Sequence, residues 1–184
     1  IDVDPDRVNI VIPQDFDLPE GGLNSRWPDP PLAQEARLQR SKIYAALAFA
    51  RANNIDRVAI SHPKRQLGIV TTGKAYLDTM QALSDLGIDA GSDAGLAADI
   101  GLGVYKVGMS WPLEPQGVKA FAQGFKELLV IEEKRSLIED QLKGQLYTLP
   151  DGERPRIVGE YDEAGELLVS NVGGLSPGDI AQVI

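Results

Sequence analysis

Apolar residues in this chain follow two spacings. Short continuous runs suit strands buried on both faces, and apolar positions recurring every three or four residues suit amphipathic helices. Leu67-Gly68-Ile69-Val70-Thr71-Thr72 is the clearest strand run, because it is rich in β-branched residues. A helix is expected directly after it. Thr72 would cap this helix, Tyr76, Leu77, Met80, Leu83 and Leu86 would form its apolar face, and Gly87 lies just past its end. The same order returns twice between Leu102 and Tyr147. Val104 to Val107 ends at Gly108-Met109-Ser110-Trp111-Pro112 and precedes a helix opened by Glu114 and Pro115, with Val118, Phe121, Ala122 and Phe125 inward and Gly124 at its end. Leu128 to Ile131 ends at Glu132-Glu133-Lys134-Arg135 and precedes a helix running through Tyr147. In that helix Ser136 and Glu139 form a capping-box pattern, and Ile138, Leu142 and Leu146 point inward.

The flanks are read in the same way. Leu32 to Asn53 has helical spacing, with Leu32, Ala36, Ile43, Ala46, Leu47 and Ala50 on one stripe and Asn53-Asn54 as a left-handed stop. Arg57 to Ile60 is a short strand, followed by the polar Ser61 to Gln66. Ala90 to Gly101 reads as a short helix between turns, Arg156 to Gly159 as a last strand, and Tyr161 to Gly174 as a loop or hairpin. Ser176-Pro177-Gly178-Asp179 caps a terminal helix. Residues 1–31 hold six prolines, each of which removes a backbone donor and disfavours helix before it. They are expected to form an extended arm or interdomain linker, in which Val8 to Ile12 either adds a strand to a sheet edge or simply links. Residues 32–184 are expected to form one α/β domain. Alternating strands and helices at this spacing imply crossovers and a largely parallel sheet. In such sheets the carboxyl ends of the strands are where ligands and neighbours are met.

Composition narrows the picture. The 184 residues can bury a real core, and 43% hydrophobic with 24% charged residues is ordinary for a globular chain. A net charge of -9 argues against nucleic acid or an anionic membrane as partner, since both require clustered Lys and Arg. There is no Cys, so this chain offers no disulfide, no thiolate nucleophile and no cysteine-ligated zinc or iron–sulfur centre. That composition fits a cytoplasmic location. No apolar run reaches the ~20 residues of a membrane span. The chain opens at Ile1 without Met, which suggests an excised piece or a processed product.

Four motifs bear on chemistry. Gly68 to Lys74 fits the first seven positions of the G-x-x-x-x-G-K-[ST] phosphate loop, but Ala75 lacks the hydroxyl needed at the eighth. A weaker expectation survives, that the amides after Thr72, with Gly73 and Lys74, hold a single anion at a helix start. Gly73 equally suits a tight strand-to-helix turn. Glu132 and Glu133 are adjacent on a strand end and so point to opposite faces, which leaves pairing with Lys134, Arg135 or Lys106, or a subunit contact, as their reading. His62 is the only histidine and is expected to be solvated, so multi-histidine metal sites are excluded. Met109 and Trp111 either anchor an interface or close the core beneath the next helix.

Three segments in order, Leu67-Gly-Ile-Val-Thr-Thr-Gly-Lys-Ala-Tyr-Leu-Asp78, Tyr105-Lys-Val-Gly-Met-Ser-Trp-Pro-Leu-Glu-Pro115 and Leu129-Val-Ile-Glu-Glu-Lys-Arg-Ser-Leu-Ile-Glu-Asp-Gln-Leu142, with Ser176-Pro177 after them, resemble the indolepyruvate ferredoxin oxidoreductase family. The resemblance extends from about Gly21 onward. It implies the module similar to the C-terminal domain of transketolase: a three-layer αβα sandwich with a mostly parallel sheet of about five strands and one antiparallel edge. It implies a parent enzyme that oxidatively decarboxylates aryl 2-oxoacids with coenzyme A and ferredoxin, using thiamine diphosphate, Mg and iron–sulfur clusters. No catalytic or metal-binding residue carries over onto this chain, and no cofactor is expected in it. The expected role is non-catalytic assembly with other modules or subunits, a homodimer among them, through Met109, Trp111, Glu132, Glu133, Lys134 and Arg135. The alternative is an independent domain that binds an anion or small ligand at Thr72, Gly73 and Lys74.

Overall fold

In a computed structural model the chain separates into two compact units, Ile1–Ile55 and Asp56–Ile184. Residues 4–88 and 95–184 are described. The glycine-rich turn expected over 90–94 lies outside the described residues.

The first unit begins with a short 3-10 turn at Pro5–Arg7. Val8 to Ile12 forms no strand; the Asn53 side chain instead accepts from Val11 N–H at 2.7 Å and donates to Val11 C=O at 2.9 Å. The helical spacing from Leu32 is realised as α1 (Pro31–Arg37) and α2 (Ile43–Ala52), joined through one π-helical stretch at Leu38–Lys42. Leu32 is 79% exposed and so leaves the expected stripe, whereas Ala48 and Ala50 are buried. Arg37 grips Asp29 with two parallel hydrogen bonds, at 2.7 and 2.9 Å, and both side chains are largely sheltered. The Arg37 guanidinium holds the Asp29 carboxyl below its usual value.

The second unit is a three-layer α/β domain. Its strands are β1 (Arg57–Ile60), β2 (Leu67–Thr72), β3 (Leu102–Val107), β4 (Glu127–Ile131) and β5 (Arg156–Val158), in the order β1-β3-β2-β4-β5. β2, β3, β4 and β5 pair in parallel, and β1 closes one edge antiparallel to β3. The helices are α3 (Gly73–Asp85), α4 (Leu96–Ile100), α5 (Pro115–Ala122), α6 (Leu137–Leu146) and α7 (Pro177–Val183). α3, α4 and α7 share a core with Ile69, Val104, Leu129 and Ile131 on one face. α5 and α6 share another with Val70, Tyr105, Leu128 and Val130 on the opposite face. The alternation of strand side chains divides each central strand between these two cores.

Sequence explains most of this placement. Val118, Phe121, Ala122 and Phe125 are all buried as their spacing requires, and so are Ile138, Leu142 and Leu146. Gly68 and Gly103 stand opposite each other on β2 and β3, beneath the rings of Phe121 and Phe125, which are tilted by 40° with centroids 4.9 Å apart. A Cβ on Gly103 would lie 2.5 Å from Phe125 Cζ, and one on Gly68 would lie 2.6 Å from Leu128 Cδ2. These two glycines let α5 approach the sheet closely. The apolar face of α3 is rotated from the expected one: Ala75, Thr79, Ala82 and Leu83 are buried, while Leu77 and Leu86 are exposed.

Candidate functional site

β2 leads into α3 on one face of the sheet, whereas its neighbours β3 and β4 lead into α5 and α6 on the other. The strand ends therefore part, leaving the crevice expected where connections reverse direction. A cleft of about 320 Å³ lies there, lined by Thr72, Gly73, Lys74, Ser110, Glu132, Glu133, Lys134 and Arg135 among others. It brings the residues expected to hold an anion together with the acidic and basic corner of β4. Met109 and Trp111 stand outside its lining, on the corner that Ser110 shares.

Each wall of the cleft is tied into the framework. Gly73 turns the chain from strand to helix at φ 54°, a conformation that costs residues with a Cβ about 1 kcal/mol or more. Thr72 occupies the cap position of α3 but does not cap it. Its hydroxyl donates to the Val107 carbonyl at 2.9 Å and joins the ends of β2 and β3. Lys74 donates to Asp78 one turn on and to the Leu175 carbonyl at 2.8 Å, and lies 3.7 Å from Glu133. Asp78 first, then Glu133, hold the Lys74 ammonium above its ordinary pKa.

Glu132 and Glu133 diverge, as expected for neighbours on a strand end, but their partners differ from those the sequence suggested. Glu132 caps α6, accepting from Ile138 N–H with both oxygens and from Glu139 N–H at 3.0 Å. Burial raises its pKa, and the helix amides partly offset that. The capping box of Ser136 and Glu139 is absent. Ser136 donates to Glu160 at 2.8 Å, while Glu139, 4% exposed, accepts from Lys143 at 2.5 Å and from Glu160 N–H at 2.9 Å. Asn171 first, then Ser136, with a smaller contribution from Arg135, hold Glu160 below the usual carboxylate value. Lys134 adopts φ 76° and donates to the Gly173 carbonyl.

The Met109–Trp111 corner is held from two sides. Asp56 Oδ1 accepts from Gly108 N–H at 2.7 Å and Met109 N–H at 3.0 Å. Gln141 of α6 donates to the Ser110 carbonyl at 2.8 Å and accepts from Leu113 N–H at 2.9 Å, and Gln145 donates to the Leu113 carbonyl at 2.9 Å. The corner therefore presents Trp111, 61% exposed, on a fixed backbone. Glu114 caps α5 through Gln116 N–H and Gly117 N–H. Spacing alone did not reveal the part played by Asp56, Gln141 and Gln145, because their partners lie 28 to 53 residues away.

Gly68 to Thr72 runs as β2, the strand its β-branched residues predict, and so does not wrap phosphate with its amides. One further expectation changes. His62 is 7% exposed, and its Nε2 is buried without a hydrogen-bond partner; the turn after β1 folds it inward instead of leaving it solvated. Among the described residues no group of three or more His, Cys, Asp or Glu is arranged to hold a metal ion. Among them, too, no helix is long and apolar enough to cross a membrane.

Comparison with known proteins gives this geometry a family. Among curated proteins no significant match was found. A solved 2-oxoglutarate:ferredoxin oxidoreductase from Magnetococcus marinus, with 2-oxoglutarate, coenzyme A and succinyl-CoA bound, is 16% identical with a TM-score of 0.47. The match covers 91% of this chain and 25% of that one. A split-gene transketolase, an inactive beta4 tetramer, is 17% identical with a TM-score of 0.44, over 69% of this chain and 39% of that one. The chain thus spans a quarter and about two-fifths of these two proteins. The family profile described as "Indolepyruvate oxidoreductase domain" matches residues 57–184, which is the whole α/β unit apart from Asp56. The chain belongs to the indolepyruvate oxidoreductase domain family.

Proposed function

We propose that this chain is a non-catalytic assembly domain of a 2-oxoacid:ferredoxin oxidoreductase of the indolepyruvate type. The observation that carries this reading is the state of the strand-end residues. Glu132 caps a helix, Glu133 and Asp78 share Lys74, and Asp56 pins the Gly108–Met109 amides. Acids committed to backbone amides and ion pairs are poor general acids or bases, whereas a Trp on a rigid corner suits an interface anchor. Met109 and Trp111, with Glu133, Lys134 and Arg135, form the contact surface toward the other modules of the parent. Thiamine diphosphate, Mg and the iron–sulfur clusters belong to those modules; the clusters need cysteines that this chain does not have. The parent oxidises aryl 2-oxoacids with coenzyme A and ferredoxin in the cytoplasm. Reconstitution tests the reading. The chain alone should not decarboxylate indolepyruvate and should bind the remaining modules; turnover by the isolated chain would overturn it.

One observation favours a second reading, an anion held at Thr72, Gly73 and Lys74. Because the Thr72 hydroxyl is spent on Val107, no side chain caps the first amides of α3. The acids already paired with Lys74 weigh against it. Calorimetric titration with phosphate, coenzyme A and nucleotides separates the two readings, and a flat response to all three removes the second.

A further inference from the structure

Two lysines that line the strand-end cleft reach out of it to the same short segment. Lys74, in the first turn of α3, donates to the Leu175 carbonyl at 2.8 Å, and Lys134, just past β4, donates to the Gly173 carbonyl. The segment between these carbonyls leads directly into α7, with Leu175 buried in the core shared with α3. Gly173 takes φ 77°, and Lys134 takes φ 76°, a left-handed conformation disfavoured for any residue with a Cβ. Such outliers persist where surrounding structure holds them and are enriched at switch regions.

The two lysines are not equivalent. Lys74 also has the carboxylates of Asp78 and Glu133, whereas the acceptor of Lys134 is a neutral carbonyl. Coulomb attraction to two carboxylates adds to the hydrogen bonds of Lys74 and has no counterpart at the neutral Gly173 carbonyl. Lys134 is therefore the exchangeable half of the pair. We propose that Gly173 and Gly174 form a displaceable strap at the edge of the β2–β4 cleft, latched by Lys134 and anchored beyond it by the buried Leu175, whose carbonyl Lys74 holds. An anionic group entering the cleft releases it by drawing Lys134 away from the Gly173 carbonyl. The inference goes beyond the readings above, because it requires neither assembly with a partner nor an anion on the α3 amides.

Hydrogen–deuterium exchange of peptides spanning 170–176 in the full chain tests it. Wild type, Lys134→Met and Lys134→Arg are compared with and without inorganic pyrophosphate, against potassium chloride at matched ionic strength. Lys134→Met keeps an unbranched side chain and removes the ammonium, and with it both the charge and the hydrogen bond to the Gly173 carbonyl. The expected result is that Lys134→Met exchanges several-fold faster than wild type and does not respond to pyrophosphate. Wild type and Lys134→Arg should exchange slowly and accelerate several-fold with pyrophosphate but not with chloride. Equal exchange in Lys134→Met and wild type overturns the latch. Equal responses to the two salts, or no response to pyrophosphate, overturns release by an anion. Peptides from β2 must stay protected throughout; should Lys134→Met fail that check, the pyrophosphate response of Lys134→Arg decides alone.

Discussion

Glu132 accepts the backbone N–H of Ile138 through both carboxylate oxygens, at 3.0 and 2.9 Å. The contact makes an apparent acid pair at a strand end into a helix cap with a neighbour. It also places negative charge at the positive end of α6, which is favourable. Glu132→Ala should therefore destabilise the α/β unit by about 1–2 kcal/mol, the range of a lost N-cap. Urea unfolding measures the loss, and no change in midpoint would mean that α6 is capped by other means.

The same residue gives a pH signature. Burial raises the Glu132 pKa above its ordinary 4.5, so the folded chain holds this proton more tightly than the unfolded one. The contribution of Glu132 to stability is then full below 4.5 and declines as pH rises through the folded value. Relative to wild type, Glu132→Gln should become progressively more stable as pH is raised across that window. Thermal melts of both proteins at several pH values check this; parallel curves would contradict it.

Asp29 shows the opposite sign. Arg37 holds its carboxyl below 3.8, so its stabilising contribution is present above that value and lost as pH falls through the folded value. Carboxyl-carbon NMR should find Asp29 titrating below 3.8 in wild type and close to it in Arg37→Met.

Gly103→Ala places a methyl group 2.5 Å from the Phe125 ring, and Gly68→Ala places one 2.6 Å from Leu128. Each should cost about 1–3 kcal/mol as overpacking. Because both added carbons also crowd Phe121, at 3.1 and 3.2 Å, the double variant should lose less than the sum of the single losses. Denaturant titration of the three variants completes the cycle.

These relationships mark where sequence reasoning succeeds and where it stops. The run from Leu67 to Thr72 becomes β2 residue for residue, because a β-branched stretch buried on both faces has few alternatives. Ser176 and Asp179 form the full capping box, since both partners lie within one turn. Ser136 and Glu139 have the same local pattern, yet it fails: Glu160 and Lys143 claim their side chains, and Glu132 supplies the cap. Thr72 is drawn off its helix in the same way by Val107, 35 residues away. Local patterns hold where no distant group competes, and the cleft is where distant groups converge. Trp111 shows the same limit, because its type suggested either anchor or core and only its exposure on a corner pinned by Asp56 and Gln141 favours the first.

The central claim is that this chain contributes a contact surface to its parent and no chemistry. The equilibrium affinity of the chain for the remaining modules, compared between wild type and Trp111→Ala, tests it most directly. A Trp hot spot is worth about 2 kcal/mol or more, so the variant should bind at least about thirtyfold more weakly while its melting temperature is unchanged. Equal affinity of the two proteins, or no binding by wild type, would contradict the account.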